Sequence, residues 1–125
     1  MQGWKRYMQN EIQTSNPVKV TIMAYERCIL ELRVSKEKLE NLRFSEVDER
    51  IGKVGRIINE LTLQLNHEAF PELAEDLFRL YEWITNELQL VLITKNTEKI
   101  DPIINVIQNL LDGYREVLKN NETNG

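Results

Sequence analysis

The chain of 125 residues has few residues of the kind that interrupt helices, with five glycines and three prolines. A β-sheet fold of this length needs many turns, and turns depend on glycine and proline, so their scarcity favours helices. The single cysteine, Cys28, cannot form an intramolecular disulfide, and the single histidine, His67, excludes a His/Cys metal cluster. No apolar run approaches the roughly 20 residues that a membrane-spanning helix requires. We therefore expect an all-α domain without a membrane partner.

Positive charge is not in excess either, because 16 Lys and Arg residues face 20 Asp and Glu residues and the formal net charge is −4. This balance excludes a uniformly basic surface, so no nucleic-acid partner is expected. Lys5 and Arg6 near the N-terminus are not followed by the apolar core of a signal peptide. Together with the single cysteine, these features predict a cytoplasmic location in the reducing cytosol.

Residues suited to catalysis are also scarce. Cys28 flanks the apolar face of its predicted helix and is expected in the core, whereas His67 lies where the next helix should end. A di-iron site in a helical bundle needs Glu-x-x-His pairs, and the residue three positions before His67 is Gln64. We predict that the chain is not an enzyme and that it has no catalytic residues, no metal and no cofactor.

Helix-starting signals divide the chain. Pro17 and Pro71 suit the first turn of a helix, and the dipeptide Asp101-Pro102 adds a capping side chain before the proline. Ser45 begins a segment that resembles a capping box. These signals predict four helices, near residues 17–42, 46–66, 71–95 and 102–119. Short connections make sequential helices antiparallel, so the predicted architecture is an up-and-down four-helix bundle.

The predicted domain organisation has three parts: an N-terminal segment with a short helix (1–16), the four-helix bundle (17–119) and a frayed tail (120–125). Three of the bundle helices carry one apolar stripe each, at alternating steps of three and four residues. The stripes are Val47, Ile51, Val54, Ile58, Leu61 and Leu65; Leu73, Leu77, Leu80, Ile84, Leu88 and Val91; and Ile103, Ile107, Leu110, Tyr114 and Val117.

The first predicted helix differs because it is apolar on two faces. One stripe consists of Val18, Ile22, Tyr25, Ile29 and Leu32. The second consists of Val20, Met23, Leu30 and Val34, with Arg27 in its middle. A helix with two apolar faces is buried on two faces, so this second stripe is covered either by the rest of the chain or by a partner. The third helix has a smaller second stripe, Trp83 and Leu90.

Three blocks of residues keep a spacing that is known from one protein family. The first is Tyr7, Asn10, Ile12, Thr14, Ser15, Asn16, Pro17 and Lys19, followed by Met23, Ala24, Tyr25 and Glu26. The second is Ile57, Ile58, Asn59, Glu60 and Leu61 with Leu65 and Asn66, and the third is Leu77, Phe78, Arg79, Leu80, Tyr81, Glu82, Trp83 and Ile84 with Leu88. These blocks resemble the FliS family of flagellar secretion chaperones. The chain departs from the family pattern at Ala24, Arg27, Asp76, Val91 and Leu92.

The resemblance implies a binding function without chemistry. Chaperones of this family hold newly made flagellin in the cytosol, bind its disordered C-terminal segment and block premature polymerisation. They then deliver flagellin to the type III export apparatus of the bacterial flagellum, so other flagellar export proteins are further expected partners. Ordering a disordered tail is costly, and a bundle with a second apolar stripe offers the area that compensates for it.

The expected partner-binding residues lie on two helices, and they are Met23, Leu30 and Val34 on the first and Trp83 and Leu90 on the third. The N-terminal segment is expected to cover a groove until the flagellin tail displaces it, through Trp4, Tyr7, Met8 and Ile12.

Two alternatives stay open from the residues alone. The chain could be a helical adaptor or a self-associating protein that buries its second stripe in a homodimer. It could also be an export chaperone for another axial flagellar protein, because helical bundles occur among those chaperones as well.

Overall fold

The computed structural model describes the backbone of residues 17–124 and the side chains of residues 17–120. Its elements are α1 (Pro17–Glu40), α2 (Phe44–Leu63), α3 (Pro71–Thr94), a short 3-10 helix (Thr97–Lys99) and α4 (Ile100–Asn124). The prediction of an all-α fold is confirmed. None of the helices in this part of the chain has the length and apolar character needed to span a bilayer.

The four helices form a ring around one core. α1 packs against α2 and α4, and α3 packs against the same two helices, so α1 and α3 lie diagonally opposite each other. The short connections make neighbouring helices antiparallel, as the predicted up-and-down topology requires. α3 and α4 make the least extensive contact of the four neighbouring pairs. The bundle is therefore closed less tightly along one side.

Tyrosine side chains meet at the centre of the core. The hydroxyl groups of Tyr25 on α1 and Tyr81 on α3 lie 2.6 Å apart and share a hydrogen bond across the bundle. The ring of Tyr114 on α4 packs edge-on against Tyr25, with 5.4 Å between the ring centroids. Burial raises the pKa of both Tyr25 and Tyr81. The free thiol of Cys28 is buried beside them, as predicted, and burial raises its pKa too.

The starts of two helices correct the expectations drawn from capping residues. α2 begins at Phe44, and its N-terminus has no side-chain capping bond, so Ser45 is not a cap. α4 begins at Ile100 after the 3-10 helix, whose first turn is capped by the Asn96 side chain. Asp101 instead accepts hydrogen bonds from Lys36 of α1, at 2.9 and 3.1 Å. Pro71 starts α3, as expected.

The ends of the described chain differ from the predicted divisions in one respect. α4 continues to Asn124, beyond the predicted end at residue 119. The N-terminal segment (1–16) lies outside the described residues, and the division of the chain into segment, bundle and tail stays a prediction.

Candidate functional site

The outer face of α1 carries the first candidate surface. Ion pairs join α1 to α2 on one side and to α4 on the other: Glu31–Arg50 and Lys38–Glu46, and Lys36–Asp101 and Glu26–Arg115. Helical geometry places Met23, Leu30 and Val34 between these two sides, pointing away from the core. Leu30 is 52% exposed, and Met23 and Val34 are half-buried. We call these three residues, with Arg27 among them, the outer α1 stripe.

One residue expected in that stripe does not belong to it. Val20 is 2% exposed and lies in the core. Its position is one helical turn before Met23 and Ala24, on the side that packs against α2, so it is covered by the bundle itself. The second apolar face of α1 is thus narrower than the sequence suggested, and it lies midway between the sides that contact α2 and α4.

A buried carboxylate lies beneath the outer α1 stripe. Glu31 is 2% exposed, and Arg50 of α2 donates hydrogen bonds to both of its carboxylate oxygens, at 3.1 and 3.4 Å. Arg27 also approaches Glu31, with its Nη2 atom 3.6 Å from Oε1. This group was not predicted, because the burial of Glu31 depends on Arg50, a residue of another helix. The spacing of Arg27 and Glu31, one helical turn apart, was the signal that pointed to a pair.

The outer surface of α3 is more apolar than expected. Trp83 and Leu90 are 37% and 38% exposed, as the second stripe required. Leu73 and Leu80, which sequence analysis placed in the core stripe, are exposed as well, and Ala74 and Tyr81 are buried in their place. Leu77, Ile84, Leu88 and Val91 are buried as predicted, so the buried face of α3 is only shifted toward the side that carries Ala74 and Tyr81.

The side of α4 that faces α3 carries apolar residues that the core does not fully cover: Val117 is exposed, and Val106 and Leu110 are half-buried. Asp101 and Arg115 point toward α1, where they form ion pairs. An apolar stripe occupies the opposite side of α4, and it consists of Val106, Leu110 and Val117. On α3, Leu73 and Leu80 lie across the buried face from Phe78, whose ring contacts His67 in the α2–α3 connection. We call the surface that Leu73 and Leu80 of α3 form with this stripe of α4, bordered by Trp83 and Leu90, the α3–α4 seam.

The predicted partner-binding residues form two surfaces and not one. Met23, Leu30 and Val34 belong to α1, whereas Trp83 and Leu90 belong to α3, and these two helices are diagonal in the bundle, not neighbours. Neighbouring helix axes in a bundle lie about 8–10 Å apart, so the outer faces of diagonal helices are separated by on the order of 20 Å. A partner that uses both surfaces must run around the bundle.

Neither surface has the features of a reaction centre. Cys28 lies in the core, where burial raises the pKa of its thiol and keeps it protonated. Between residues 17 and 120 no three His, Cys, Asp or Glu side chains are grouped so that they could hold a metal ion. The exposed groups that remain are apolar side chains next to charged ones, which suit a protein partner.

The residues predicted to cover a groove lie outside the described part of the chain. Trp4, Tyr7, Met8 and Ile12 all belong to the N-terminal segment. Their role stays a prediction.

Comparison with known proteins gives a consistent result. The family model for the flagellar protein FliS matches residues 1–121. A flagellar secretion chaperone FliS of Campylobacter jejuni is 32% identical over 124 residues, covering 97% of this chain and 94% of the relative. The one of Bacillus subtilis is 24% identical over 113 residues, covering 90% and 84%. A crystal structure of a bacterial flagellar chaperone superposes with a TM-score of 0.81 at 48% identity, covering 96% of this chain and 98% of that one.

Proposed function

The chain belongs to the FliS family of flagellar secretion chaperones, and we propose that it binds flagellin in the cytosol through the C-terminal segment of that protein. The family is one of chaperones and not of enzymes, which agrees with the residues of both surfaces. The observation that carries the proposal is the pair of exposed apolar surfaces, the outer α1 stripe and the α3–α4 seam. A small bundle that bound no partner would be more stable if its own chain covered these surfaces.

The binding mode follows from the shape of these surfaces. Each is a stripe along a helix, and such a stripe accepts the apolar face of an amphipathic helix. A disordered flagellin tail would fold into helices on the two surfaces and would have to pass around the bundle between them. Its apolar side chains would then be unable to pair with other flagellin molecules, so polymerisation before export would be blocked. Release at the type III export apparatus would return the tail to its disordered form.

Isothermal titration with a flagellin C-terminal peptide from the same organism, with circular dichroism alongside, tests the proposal. We expect saturable binding with a gain in helicity. Leu30→Glu should weaken binding by tenfold or more, on the order of 1.4 kcal/mol or above, because it places a charge against the apolar face of the tail. Leu63→Glu is the matched control, because Leu63 is an exposed leucine at the end of α2, away from both surfaces.

The outcome of that titration decides between a binding surface and a structural one. Equal losses of affinity in Leu30→Glu and Leu63→Glu would contradict the proposed site. Unfolding of Leu30→Glu, seen as loss of helicity without peptide, would mean that the outer α1 stripe supports the fold. No binding by the folded wild-type chain would contradict the proposed function.

The N-terminal segment is proposed to cover one of the two surfaces in the free protein, through Trp4, Tyr7, Met8 and Ile12. Deletion of residues 1–12 should then leave the affinity for the flagellin peptide the same or tighter, because the peptide no longer competes with the chain's own segment. A large loss of affinity would show that the segment is itself a contact.

The exposed outer α1 stripe also favours self-association as a second candidate function. A homodimer would bury the same residues on both copies, because a two-fold interface is isologous. Light scattering at micromolar concentration should then report a dimer that Leu30→Glu dissociates. A monomer under these conditions would exclude this candidate.

A further inference from the structure

We infer that the helix bound on the outer α1 stripe carries an acidic side chain between its apolar residues, and that Arg27 binds this carboxylate. The inference rests on the proposed function, because the occupant is the tail of the bound flagellin. It adds a requirement on the partner's sequence that apolar grooves alone would not impose.

Arg27 is placed to receive a partner. Its side chain is 51% exposed, and it lies between Met23 and Leu30 on the line of the stripe. Its ion pair with Glu31 is long, at 3.6 Å, which is beyond the range of a good hydrogen bond. An arginine has five N–H donors, so the long ion pair with Glu31 leaves donors of Arg27 available to a partner.

Glu31 does not need Arg27 as its partner. Arg50 already donates hydrogen bonds to both carboxylate oxygens of Glu31 from α2. Arg27 can therefore turn toward a bound helix without leaving a buried carboxylate unpaired, which would otherwise be costly. The ion pair with Glu31 holds Arg27 near the surface, and its guanidinium group remains able to bind a carboxylate of the partner.

The charges at this point also favour an acidic partner. Two arginines, Arg27 and Arg50, surround the single carboxylate of Glu31, so the group has a local positive charge on a chain whose net charge is −4. Apolar side chains flank Arg27 on both sides along the helix. Once a helix covers them, the guanidinium of Arg27 loses water, and a carboxylate opposite it compensates for that loss better than a neutral acceptor does.

The geometry indicates where the acidic residue should lie. The stripe from Met23 to Val34 runs for about three helical turns, roughly 16 Å. A partner helix of this length contacts it with apolar residues one turn before and one turn after the residue opposite Arg27. An amide at that position is too weak an acceptor to replace the carboxylate, so Arg27 also discriminates between partners.

The test is titration of the full chain with the amidated flagellin C-terminal peptide, which lacks a terminal carboxylate. We expect Arg27→Glu to weaken binding by about tenfold or more and Arg27→Gln by about three- to tenfold. Arg33→Glu is the matched control, because Arg33 is exposed on α1 but off the stripe, and its effect should stay within about twofold. Raising the salt from about 0.05 to 0.5 M should weaken wild-type binding more than Arg27→Gln binding.

A charge exchange identifies the partner residue. Changing each acidic residue of the peptide to lysine in turn should give one peptide that binds Arg27→Glu better than it binds the wild-type chain. Equal behaviour of Arg27→Glu and Arg33→Glu in the folded state, or no such peptide, would overturn the inference while leaving the proposed function intact. If substitution of Arg27 weakened binding only when the peptide kept a free C-terminal carboxylate, the inference would be overturned too. No binding by the wild-type chain would overturn both, and circular dichroism establishes that each variant is folded.

Discussion

At the scale of single residues, three buried hydroxyl groups of the bundle are paired by hydrogen bonds. The hydroxyl groups of Tyr25 and Tyr81 share one hydrogen bond across the core. Ser35, which is also buried, donates from its hydroxyl group to the backbone carbonyl of Glu31 at 2.7 Å. A buried polar group without a partner costs free energy, so each pairing specifies which faces of the helices point inward.

The buried ionisable groups predict a loss of stability at high pH. Burial raises the pKa values of Cys28, Tyr25 and Tyr81 above their ordinary values of 9.0 for the thiol and 10.0 for the hydroxyl groups. The folded chain therefore keeps protons that the unfolded chain releases. The contribution of these groups to the free energy of unfolding should be constant below about pH 8.5, fall as the pH passes 9 and fall more steeply above 10. The hydrogen bond to Asp101 raises the pKa of Lys36 and acts in the same direction.

Urea unfolding at several pH values measures this effect. The double variant Tyr25→Phe/Tyr81→Phe should lose less stability between about pH 9 and 11 than the wild-type chain does, because fewer groups ionise on unfolding. Arg33→Gln serves as the control, because it changes an exposed group that stays charged throughout this range. Identical pH profiles for the wild-type chain and the double variant would contradict the explanation.

At the scale of the helices, the turn after α1 holds a leucine in an unfavourable conformation. Leu42 has a φ angle of 59°, in the left-handed region where glycine is preferred. The backbone N–H of Arg43 donates to the carbonyl of Lys38 at 2.9 Å, and that of Leu42 donates to Leu39 at 3.0 Å, which is the Schellman pattern of a helix C-terminus. The turn is therefore well bonded but has the wrong residue at its left-handed position.

Leu42→Gly should stabilise the chain by about 1 kcal/mol, because it removes the steric cost of the left-handed conformation. Little packing is lost, since Leu42 is 73% exposed. Thermal or urea unfolding measures the change. Leu63→Gly is the matched control: Leu63 is 72% exposed at the end of α2 and has no positive φ, so the same substitution there should destabilise by up to about 1 kcal/mol. A loss of stability in Leu42→Gly would mean that the leucine has a contact of its own.

Helix order, number and topology followed from the sequence, but the burial of residues at the edges of each stripe did not. A stripe such as Val47, Ile51 and Val54 lies at the centre of its helix face, so any packing angle buries it. Leu73 and Leu80 lie at the edge of the face of α3, and whether they are covered depends on how closely α4 approaches. That distance is set by the packing of all four helices, which the spacing of one helix does not reveal.

The candidate site was predictable in the same partial way. The exposure of Leu30, Trp83 and Leu90 was predictable because they lie on faces away from the main stripe of their helix, and their role in binding stays a prediction. Glu31 was not recognised because its burial depends on Arg50, a residue of another helix. Patterns within a helix are visible in a sequence, whereas pairs between helices appear only when the fold brings them together.

At the scale of the whole molecule, the diagonal arrangement of α1 and α3 separates the two candidate surfaces. Tyr25 and Tyr81 meet in the core, so the outer faces of their helices point in opposite directions. One straight helix of a partner cannot contact both. The partner must offer two helices joined by a connection long enough to pass around α2 or α4.

This separation predicts that the flagellin segment binds as two independent halves. Two peptides that each contain one half of the segment separate the surfaces. Leu30→Glu should weaken the binding of only one of these peptides by tenfold or more, and Leu90→Glu should weaken the binding of only the other. The full segment should bind about 100-fold or more tightly than either half, because its first helix raises the effective concentration of the second. Titration of the three peptides against the two variants, with Leu63→Glu as the control, measures this. If both variants weakened the binding of the same half, the two surfaces would act as one site, and the proposal that the segment passes around the bundle would be contradicted.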